Sequence, residues 1–284
     1  MKTLDELHKD QIDYWNGPAG NAWVEGQDRM DRILRPVQDA AIAHARAKPG
    51  ETVIDVGCGC GSTTLALAAL VGPAGRVIGP DVSAPMVALA RKRSAALPNV
   101  EYVVADAASH PFPPAIADLL FSRFGVMFFG DPRAAFANMR RALKPTGRVV
   151  FACWRKLDEN KWMQVPLHAV YEHVPRLPKP EPEDPGPLSF ADPDRVTRIL
   201  TGAGFAKPKL TPVDLMLDLA TGRGLDEAVL QCREIGPASR ALKDQPPELV
   251  AKAVESIRAA LLPYVQGHTV KLPGAIWLVD CAYR

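Results

Sequence analysis

Two features common in other classes of protein are missing from this 284-residue sequence: a long apolar run and paired cysteines. No apolar run approaches about 18 residues, so we expect no membrane-spanning helix. The N-terminal stretch is polar and lacks the apolar segment of a signal peptide, so we expect a cytoplasmic location. An odd number of cysteines without CxxC spacing argues against a disulfide framework and a zinc site, and we predict no metal. The cysteines are Cys58, Cys60, Cys153, Cys232 and Cys281.

The sequence also lacks an excess of charge of either sign. Its 34 basic and 32 acidic residues give a net charge of +2 and are spread along the chain. A nucleic-acid surface needs a block of Lys and Arg, so charge gives no support for DNA or RNA binding. The hydrophobic fraction of 47% is that of a globular protein, whose core needs no disulfide or metal. We therefore expect no nucleic-acid partner.

Short apolar runs rich in β-branched residues alternate with helical patterns through the first half of the chain. The first helical pattern covers 28–47 and stops at Pro49-Gly50. Strands that alternate with helices of this length indicate a doubly wound, mostly parallel α/β sheet. The five strands predicted here are 52–58, 76–82, 100–107, 117–124 and 148–154.

The alternation breaks after residue 154. Residues 175–187 hold six prolines, which suit neither a helix nor a central strand. Beyond them we predict a strand at 209–219, helices at 225–236 and 246–262, and a last strand at 275–284. The predicted organisation is a single domain, 1–284. It comprises an N-terminal lid (1–27), a cofactor-binding core (28–155), a Pro-rich insertion (156–190) and a C-terminal part (191–284) with a helical insertion (225–262).

A glycine-rich turn, DVGCGCG at 55–61, follows the first predicted strand. Alternate glycines allow positive φ and a close approach of ligand to backbone, and ligands of open α/β sheets bind at this edge. Asp81 follows at the end of the second strand, where a carboxylate recognises a ribose diol. A dinucleotide loop is the alternative reading, although Ser62 occupies its third glycine position. An NAD(P)-dependent oxidoreductase therefore stays open as an alternative.

The segments ETVIDVGCGCGSTTLALA, GPDVSAPMVALAR, VVADA and FSRFGVMFF resemble the class I S-adenosylmethionine-dependent methyltransferases. The resemblance is to the small-molecule group that includes the ubiquinone and menaquinone biosynthesis enzymes, and it is close over residues 30–155. It implies a Rossmann-like, mostly parallel seven-stranded sheet with helical and Pro-rich insertions, whose C-terminal strand is antiparallel beside the fifth. It also implies in-line transfer of a methyl group from S-adenosylmethionine, leaving S-adenosylhomocysteine.

The same resemblance implies a set of cofactor-binding residues. The first strand end would hold the methionine part of the cofactor, the second the ribose, and the third the adenine amino group. Ser122 and Arg123 would close the site near the sulfonium. The other implied residues are Asp55, Gly57, Cys58 and Gly59 for methionine, Asp81 for ribose, Val82 and Met86 for the adenine face, and Asp106 with Ala107 for the amino group. The SRFGVMFF segment departs from an Asn/Asp-Pro-Pro-Tyr motif, which weighs against amino-methylation of adenine or glutamine.

The methyl acceptor and its reacting atom are not identified by the sequence. A sulfonium is a strong electrophile, so alignment provides much of the acceleration, and a general base is needed only if the acceptor loses a proton. We therefore name no catalytic residue; His110, His168 and His173 are candidate bases, but an ordinary surface histidine is the favoured interpretation of each. A non-catalytic S-adenosylmethionine-binding protein also fits these motifs.

Apolar residues in three segments each allow two interpretations. Trp15 and Trp23 form a lid over the cofactor or pack on the first helix. The aromatic run Phe124–Phe129 lines an acceptor pocket or belongs to the core, and the mixed apolar insertions favour a hydrophobic or aromatic acceptor. An apolar stripe in 246–262 indicates core or a homodimer contact.

Overall fold

The computed structural model describes residues 3–179, 181 and 183–283. Its strands are β1 (Thr52–Asp55), β2 (Arg76–Asp81), β3 (Val100–Val104), β4 (Ala117–Arg123), β5 (Leu143–Trp154), β6 (Lys209–Asp218), β7 (Val265–Gln266) and β8 (Thr269–Ala282). Its α-helices are α1 (Leu4–Asn16), α2 (Pro18–Glu25), α3 (Gln27–Ile33), α4 (Arg35–Ala45), α5 (Ser62–Val71), α6 (Ala84–Arg93), α7 (Pro132–Arg140), α8 (Lys161–Val170), α9 (Pro193–Gly202), α10 (Leu225–Glu234), α11 (Pro237–Leu242) and α12 (Pro247–Leu261).

The sheet has the order β3-β2-β1-β4-β5-β8-β6. The first five strands are parallel, and β8 is antiparallel to both β5 and β6. This path confirms the predicted mostly parallel sheet with the C-terminal strand beside the fifth. The path has the seven strands predicted, and the two-residue β7 lies off it, in a hairpin with β8 through Gly267 at φ +60°.

The inner parallel strands β1 and β4 are buried on both faces. Val53, Ile54 and Leu119 are almost fully inaccessible to solvent, as expected for inner parallel strands. Large aromatic side chains complete the core beside β5, where Phe151 packs with Phe136 and Phe190. One hydrophobic cluster extends from Met30 near the N-terminus to Cys281 in the last strand.

The predicted helix 28–47 is two helices, α3 and α4, which meet at Leu34. Pro36 lies in the first turn of α4, where a missing N–H leaves no hydrogen bond unmade. The predicted lid segment contains α1 and α2. Thr3 caps α1 through a reciprocal capping box with Glu6.

The Pro-rich insertion begins with a helix, α8, so only its second part is irregular. Pro180 and Pro182 of that part, and Arg284 of the predicted last strand, lie outside the described residues. The helical insertion contains α10, α11 and α12, one more helix than the sequence pattern predicted. A break at Gly236, with φ +105°, separates α10 from α11.

Candidate cofactor site at the carboxyl edge of the sheet

The glycine turn after β1 requires glycine on steric grounds. Gly57, Gly59 and Gly61 all have positive φ, at 66°, 55° and 86°. A Cβ on Gly57 would lie 2.7 Å from the Cα of Gly125, in the turn after β4. The Gly57 N–H donates to the Pro80 carbonyl oxygen over 3.0 Å. The ends of β1, β2 and β4 therefore meet at this turn.

Asp55 ends β1 and is fully buried. Its Oδ2 accepts hydrogen bonds from the hydroxyls of Thr63, at 2.7 Å, and Thr64, at 2.6 Å. Its Oδ1 is buried and has no hydrogen-bond partner. Burial raises the pKa of the Asp55 carboxyl to about 6. The site thus holds an acceptor oxygen with unused capacity.

The hydroxyls of Ser62 and Thr63 lie at the start of α5 but do not cap this helix. The N-cap position is Gly61, without a side-chain hydrogen bond. The Ser62 hydroxyl instead donates to Asp31 of α3. The Ser62 and Thr63 hydroxyls therefore donate to the carboxylates of Asp31 and Asp55.

Asp81 ends β2, and each of its oxygens is already oriented by the backbone. Oδ2 accepts from the Gly59 N–H and Oδ1 from the Ser83 N–H, both at 2.8 Å. Burial raises the pKa of the carboxyl. A carboxylate oxygen has two lone pairs, so both oxygens can accept one further hydrogen bond, such as from a ribose diol.

Asp106 and Ala107 follow β3. Asp106 Oδ1 accepts from the Ala108 N–H at 2.9 Å, and Oδ2 from the Ser109 hydroxyl at 3.1 Å. His8 of α1 also reaches this carboxylate, with its Nε2 3.1 Å from Oδ2. Ala107 is buried and packs in the core. The structure thus places the third predicted acid beside an N-terminal helix.

Ser122 joins the ends of β1 and β4 rather than facing open space. Its hydroxyl donates to the Val56 carbonyl oxygen at 2.8 Å and accepts from the Gly125 N–H at 3.1 Å. Arg123, the next residue, donates from its guanidinium to the Gln38 side-chain oxygen at 3.2 Å. Ser122 therefore fixes the shape of the turn that faces Gly57.

Cys58 and Met86 lie on opposite sides of the glycine turn. The Cys58 thiol packs under Gly79, where a Cβ would lie 2.9 Å from Sγ, and joins an apolar cluster with Val87. Burial raises the pKa of this thiol, so it stays neutral. The Met86 Cε lies 3.1 Å from the position of a Cβ on Gly59. The Cys58 side chain is therefore part of the apolar packing beside the glycine turn.

The helices α1 and α2 cover the end of β2. The Asn16 side chain donates to the Val82 carbonyl oxygen at 2.9 Å and accepts from the Ala84 N–H at 3.0 Å. The Ser83 hydroxyl donates to the Trp15 carbonyl oxygen at 2.7 Å. Asn16 lies within the lid predicted over 1–27, but its contacts with the end of β2 were not predicted, because a lone Asn at a helix end carries no motif signal.

Aromatic side chains cluster where β4 and β5 end. Phe124 stacks on Trp154 with ring centroids 4.2 Å apart, and Trp154 lies 5.0 Å from Trp162 of α8. Phe124 has φ +71°, which is an outlier for a bulky residue and is found at functional sites. The Phe128 ring meets the Trp15 ring edge-on at 5.1 Å.

The three candidate bases lie in different surroundings. His110 packs edge-on against the ring of Phe112 at 4.6 Å. His168 is exposed on α8, and His173 Nε2 is 2.7 Å from the hydroxyl of Ser256 in α12. Among the described residues, none of these imidazoles has a hydrogen bond to a strand-end carboxylate; only the His110 backbone N–H donates to the Asp106 carbonyl oxygen, at 2.8 Å. No catalytic role is assigned to them.

Over the described residues, no group of three or more His, Cys, Asp or Glu side chains is arranged to hold a metal ion. All five cysteines are unpaired and buried. No helix in the same part of the chain has the length and apolar character needed to cross a membrane.

Residues 54–151 match a family described as a methyltransferase domain. A ubiquinone/menaquinone biosynthesis C-methyltransferase, UbiE, of Coxiella burnetii is 32% identical over 155 residues, which are 52% of this chain and 60% of that protein. An uncharacterized 37.1 kDa protein in transposon Tn4556 of Streptomyces fradiae is 33% identical over 167 residues, 59% of this chain and 47% of that protein. The chain thus spans less than two thirds of these relatives.

A solved structure has the same fold at low sequence identity. The YcgJ protein of Bacillus subtilis superimposes with a TM-score of 0.55 and 18% identity, over 88% of this chain and 99% of that chain.

The sheet order and the acid–glycine–acid arrangement at the ends of β1 and β2 define an α/β protein with a cofactor site at the carboxyl edge. The domain match makes the similarity specific: residues 54–151 resemble a methyltransferase domain, and the cofactor expected at this edge is S-adenosylmethionine.

Proposed function

We propose that this protein transfers a methyl group from S-adenosylmethionine to a small-molecule acceptor. The observation that carries the proposal is the meeting of Asp55, Asp81 and the Gly57 turn at one edge of the sheet. The C-methyltransferase name of the Coxiella burnetii relative supports the same activity. The continuous hydrophobic cluster supports a single-domain organisation.

The residues present fit the chemical groups of S-adenosylmethionine. The unpartnered Oδ1 of Asp55 offers a buried acceptor for the ammonium of the methionine part. Asp81 offers two oriented oxygens for the ribose diol. The close approach of Gly57 to Gly125 leaves no room for a Cβ and fixes the turn beside which the methionine part would lie. We propose that Val82, Met86, Asp106 and Ala107 border the adenine.

The bound cofactor would supply an electrophilic methyl group on its sulfonium. The chain's own contribution is to hold an acceptor in line with that methyl group, at about 3–3.5 Å. Asn16 and Trp15 fix α1 and α2 against the end of β2, so these helices would exclude water from the site. No general base is required for an acceptor that is already nucleophilic.

We propose that the acceptor is apolar or aromatic. We place the acceptor side of the site at the aromatic group of Phe124, Trp154 and Trp162, which is largely buried at the ends of β4 and β5 and on α8. Stacked rings favour planar apolar ligands over charged ones. The quinone-pathway name of the Coxiella burnetii relative fits this choice. The predicted cytoplasmic location and homodimer stay predictions.

Two measurements test the proposal. Calorimetric titration of S-adenosylhomocysteine should show micromolar binding, whereas NADH, the control for the oxidoreductase alternative, should be silent. Transfer of labelled methyl from S-adenosylmethionine should then be measured against phenols, quinols and amines. Binding of NADH in place of S-adenosylhomocysteine would overturn the cofactor assignment. Cofactor binding without transfer to any acceptor class would favour a non-catalytic binding protein.

A further inference from the structure

Helix α3 contacts the glycine turn with one of its faces. Asp31 accepts a hydrogen bond from the Gln27 side-chain amide at 2.6 Å and forms an ion pair with Arg93 of α6 at 2.6 Å. Asp31 also accepts from Ser62, and Arg93 donates to the Cys60 carbonyl oxygen at 2.8 Å. The last part of the glycine turn is thus held through Asp31.

Arg29 points to a different partner, helix α10 of the C-terminal insertion. Its Nε donates to the Gln231 side-chain oxygen at 2.6 Å, its Nη1 is 3.7 Å from Glu227 Oε1, and its Nη2 pairs with Glu234. The Gln231 amide in turn donates to the Met30 sulfur at 3.2 Å. Three side chains from one face of α10 therefore converge on one guanidinium.

The two sets of contacts lie on opposite faces of α3. At about 100° per residue, Gln27 and Asp31 share a face, and Arg29 projects roughly 160–200° away from both. Arg29 and Glu227 are both largely shielded, with side chains 11% and 17% exposed. Shielding makes this ion pair stronger than a surface pair.

Tertiary contacts, rather than its own stability, determine where α3 lies. It has seven residues and no side-chain cap at its N-terminus, and an isolated helix of this length is not stable in water. Gly26, at its start, packs closely on Ile235 just after α10, since a Cβ on Gly26 would lie 3.3 Å from Ile235 Cδ1. A shift of α10 would therefore move α3, and α3 holds the glycine turn.

We propose that Arg29 is a positioning residue that couples helix α10 to the cofactor site through α3. The coupling rests on the proposed function, because its ligand is the cofactor. It would make cofactor binding order α10 on the acceptor side, and by reciprocity make the docking of α10 raise cofactor affinity. The insertion would then respond to the cofactor without touching it.

The first test compares two Arg→Lys substitutions that contact α10. Lys at position 29 keeps the charge, but its compact ammonium lacks the planar fork with which separate guanidinium nitrogens reach the three acceptors. We expect Arg29→Lys to weaken S-adenosylhomocysteine binding about five- to tenfold. The matched control is Arg258→Lys, because Arg258 of α12 pairs with the exposed Asp226 of α10, away from α3. We expect the control to stay within about twofold of wild type.

The second test measures hydrogen exchange with and without S-adenosylhomocysteine. In the wild type, ligand should slow exchange in α10 (Leu225–Glu234), and Arg29→Lys should abolish that response while leaving β4 and β5 unchanged. A purely structural role would raise exchange throughout instead. If Arg29→Lys does not fold, Glu234→Gln with Asp226→Asn as its control provides the same comparison on α10 itself.

The outcomes separate the two proposals. Failure of wild type to bind S-adenosylhomocysteine overturns the proposed function and the coupling together. Tight binding without any change in α10, or a change that persists in Arg29→Lys, overturns the coupling alone.

Discussion

The carboxyl ends of β2 and β3 and those of β1 and β4 both present acidic or hydroxyl side chains, but these side chains are held differently. At the β2/β3 end, Asp81 and Asp106 accept hydrogen bonds from backbone N–H groups two residues further along the chain. At the β1/β4 end, Asp55 accepts hydrogen bonds from two hydroxyls in the first turn of α5, and its other oxygen has no hydrogen-bond partner. The carboxylates at the β2/β3 end are therefore oriented before a ligand binds. At the β1/β4 end, Asp55 still has an oxygen that can accept a hydrogen bond.

This difference predicts how each end binds its part of the cofactor. Oriented carboxylates that keep free lone pairs suit neutral hydroxyl groups. A buried carboxylate with a raised pKa and an unused oxygen suits a cation, which offsets the cost of burial. Truncation of a side chain and a change of pH should therefore affect cofactor affinity differently at the two ends.

The largest effect is expected at the β2/β3 end. Asp81→Ala removes both diol acceptors and the partner of the Gly59 N–H. Hydrogen bonds to a charged group contribute about 1.5–3 kcal/mol, so S-adenosylhomocysteine affinity should fall about 100-fold. Calorimetric titration measures the change.

The control is an acid at the opposite edge of the sheet. Asp118 begins β4 and binds Lys144 and the Thr52 N–H. Asp118→Ala should lower the melting temperature and leave S-adenosylhomocysteine affinity unchanged. An equal loss of affinity in both variants would mean that Asp81 acts through overall stability rather than through contact.

The sequence predicts those parts of the site that depend on residues close to one another along the chain. The glycine turn and the acids after β1, β2 and β3 follow from strand pattern and local residue type. All of them do reach one edge, because parallel strands in this order end on the same side. Their ligand roles stay predictions.

The parts that the sequence did not predict depend on contacts between distant segments. Asn16 meets Val82 across 66 positions, and Arg29 meets Gln231 across 202. No local pattern marks either pair, since each residue alone is an ordinary polar residue of a surface helix. The division of 28–47 into α3 and α4 was also not predicted. Pro36 lies in the first turn of α4, where proline is tolerated, so it marks the start of a second helix.

The next effect is steric and belongs to the β1/β4 end. Gly57→Ala places a Cβ 2.7 Å from Gly125 Cα, in a backbone conformation with φ +66°. Strain alone costs about 1–2 kcal/mol, and the clash displaces the turn further. We expect at least a roughly tenfold loss of S-adenosylhomocysteine affinity and a lower melting temperature.

Gly50→Ala is the matched control, because Gly50 has φ +83° and nothing within 4 Å of its Cβ position. It carries the strain without the clash, so it should lower stability and spare affinity. If the two variants bind alike, the close approach of the β1 and β4 turns has no role in the site.

The third effect is a pH dependence at the β1/β4 end. Burial holds the pKa of Asp55 at about 6 in the folded chain, while the neighbouring Arg123 lowers it and Asp81 raises it. A bound ammonium favours the ionised carboxylate, so affinity for S-adenosylhomocysteine should rise as pH increases from about 5 to 7. We expect a rise of about three- to tenfold, because a shift of one pKa unit corresponds to a factor of ten.

Asp55→Asn should flatten this dependence, since the amide does not titrate. The pH dependence of stability has the opposite sign to that of affinity. The folded chain binds a proton at Asp55 more readily than the unfolded chain does, so this residue's contribution to the unfolding free energy falls as pH rises from about 4 to 6. Thermal melts of both proteins across that range check the sign, and a pH-dependent affinity retained in Asp55→Asn would assign the titration to another group.

The smallest effect concerns the cover over the β2/β3 end. Asn16→Ala removes two hydrogen bonds to the backbone at Val82 and Ala84 but leaves the Ser83 contact to Trp15. Because the acids beneath are oriented by their own backbone, loosening the cover should hardly change how the ligand is recognised. It should let the ligand leave about threefold faster, as expected for loss of about 0.7 kcal/mol. Lys9→Ala, which breaks only an exposed pair with Asp13, should leave the dissociation rate unchanged. A slower dissociation in Asn16→Ala would mean that α1 strains the site rather than closing it.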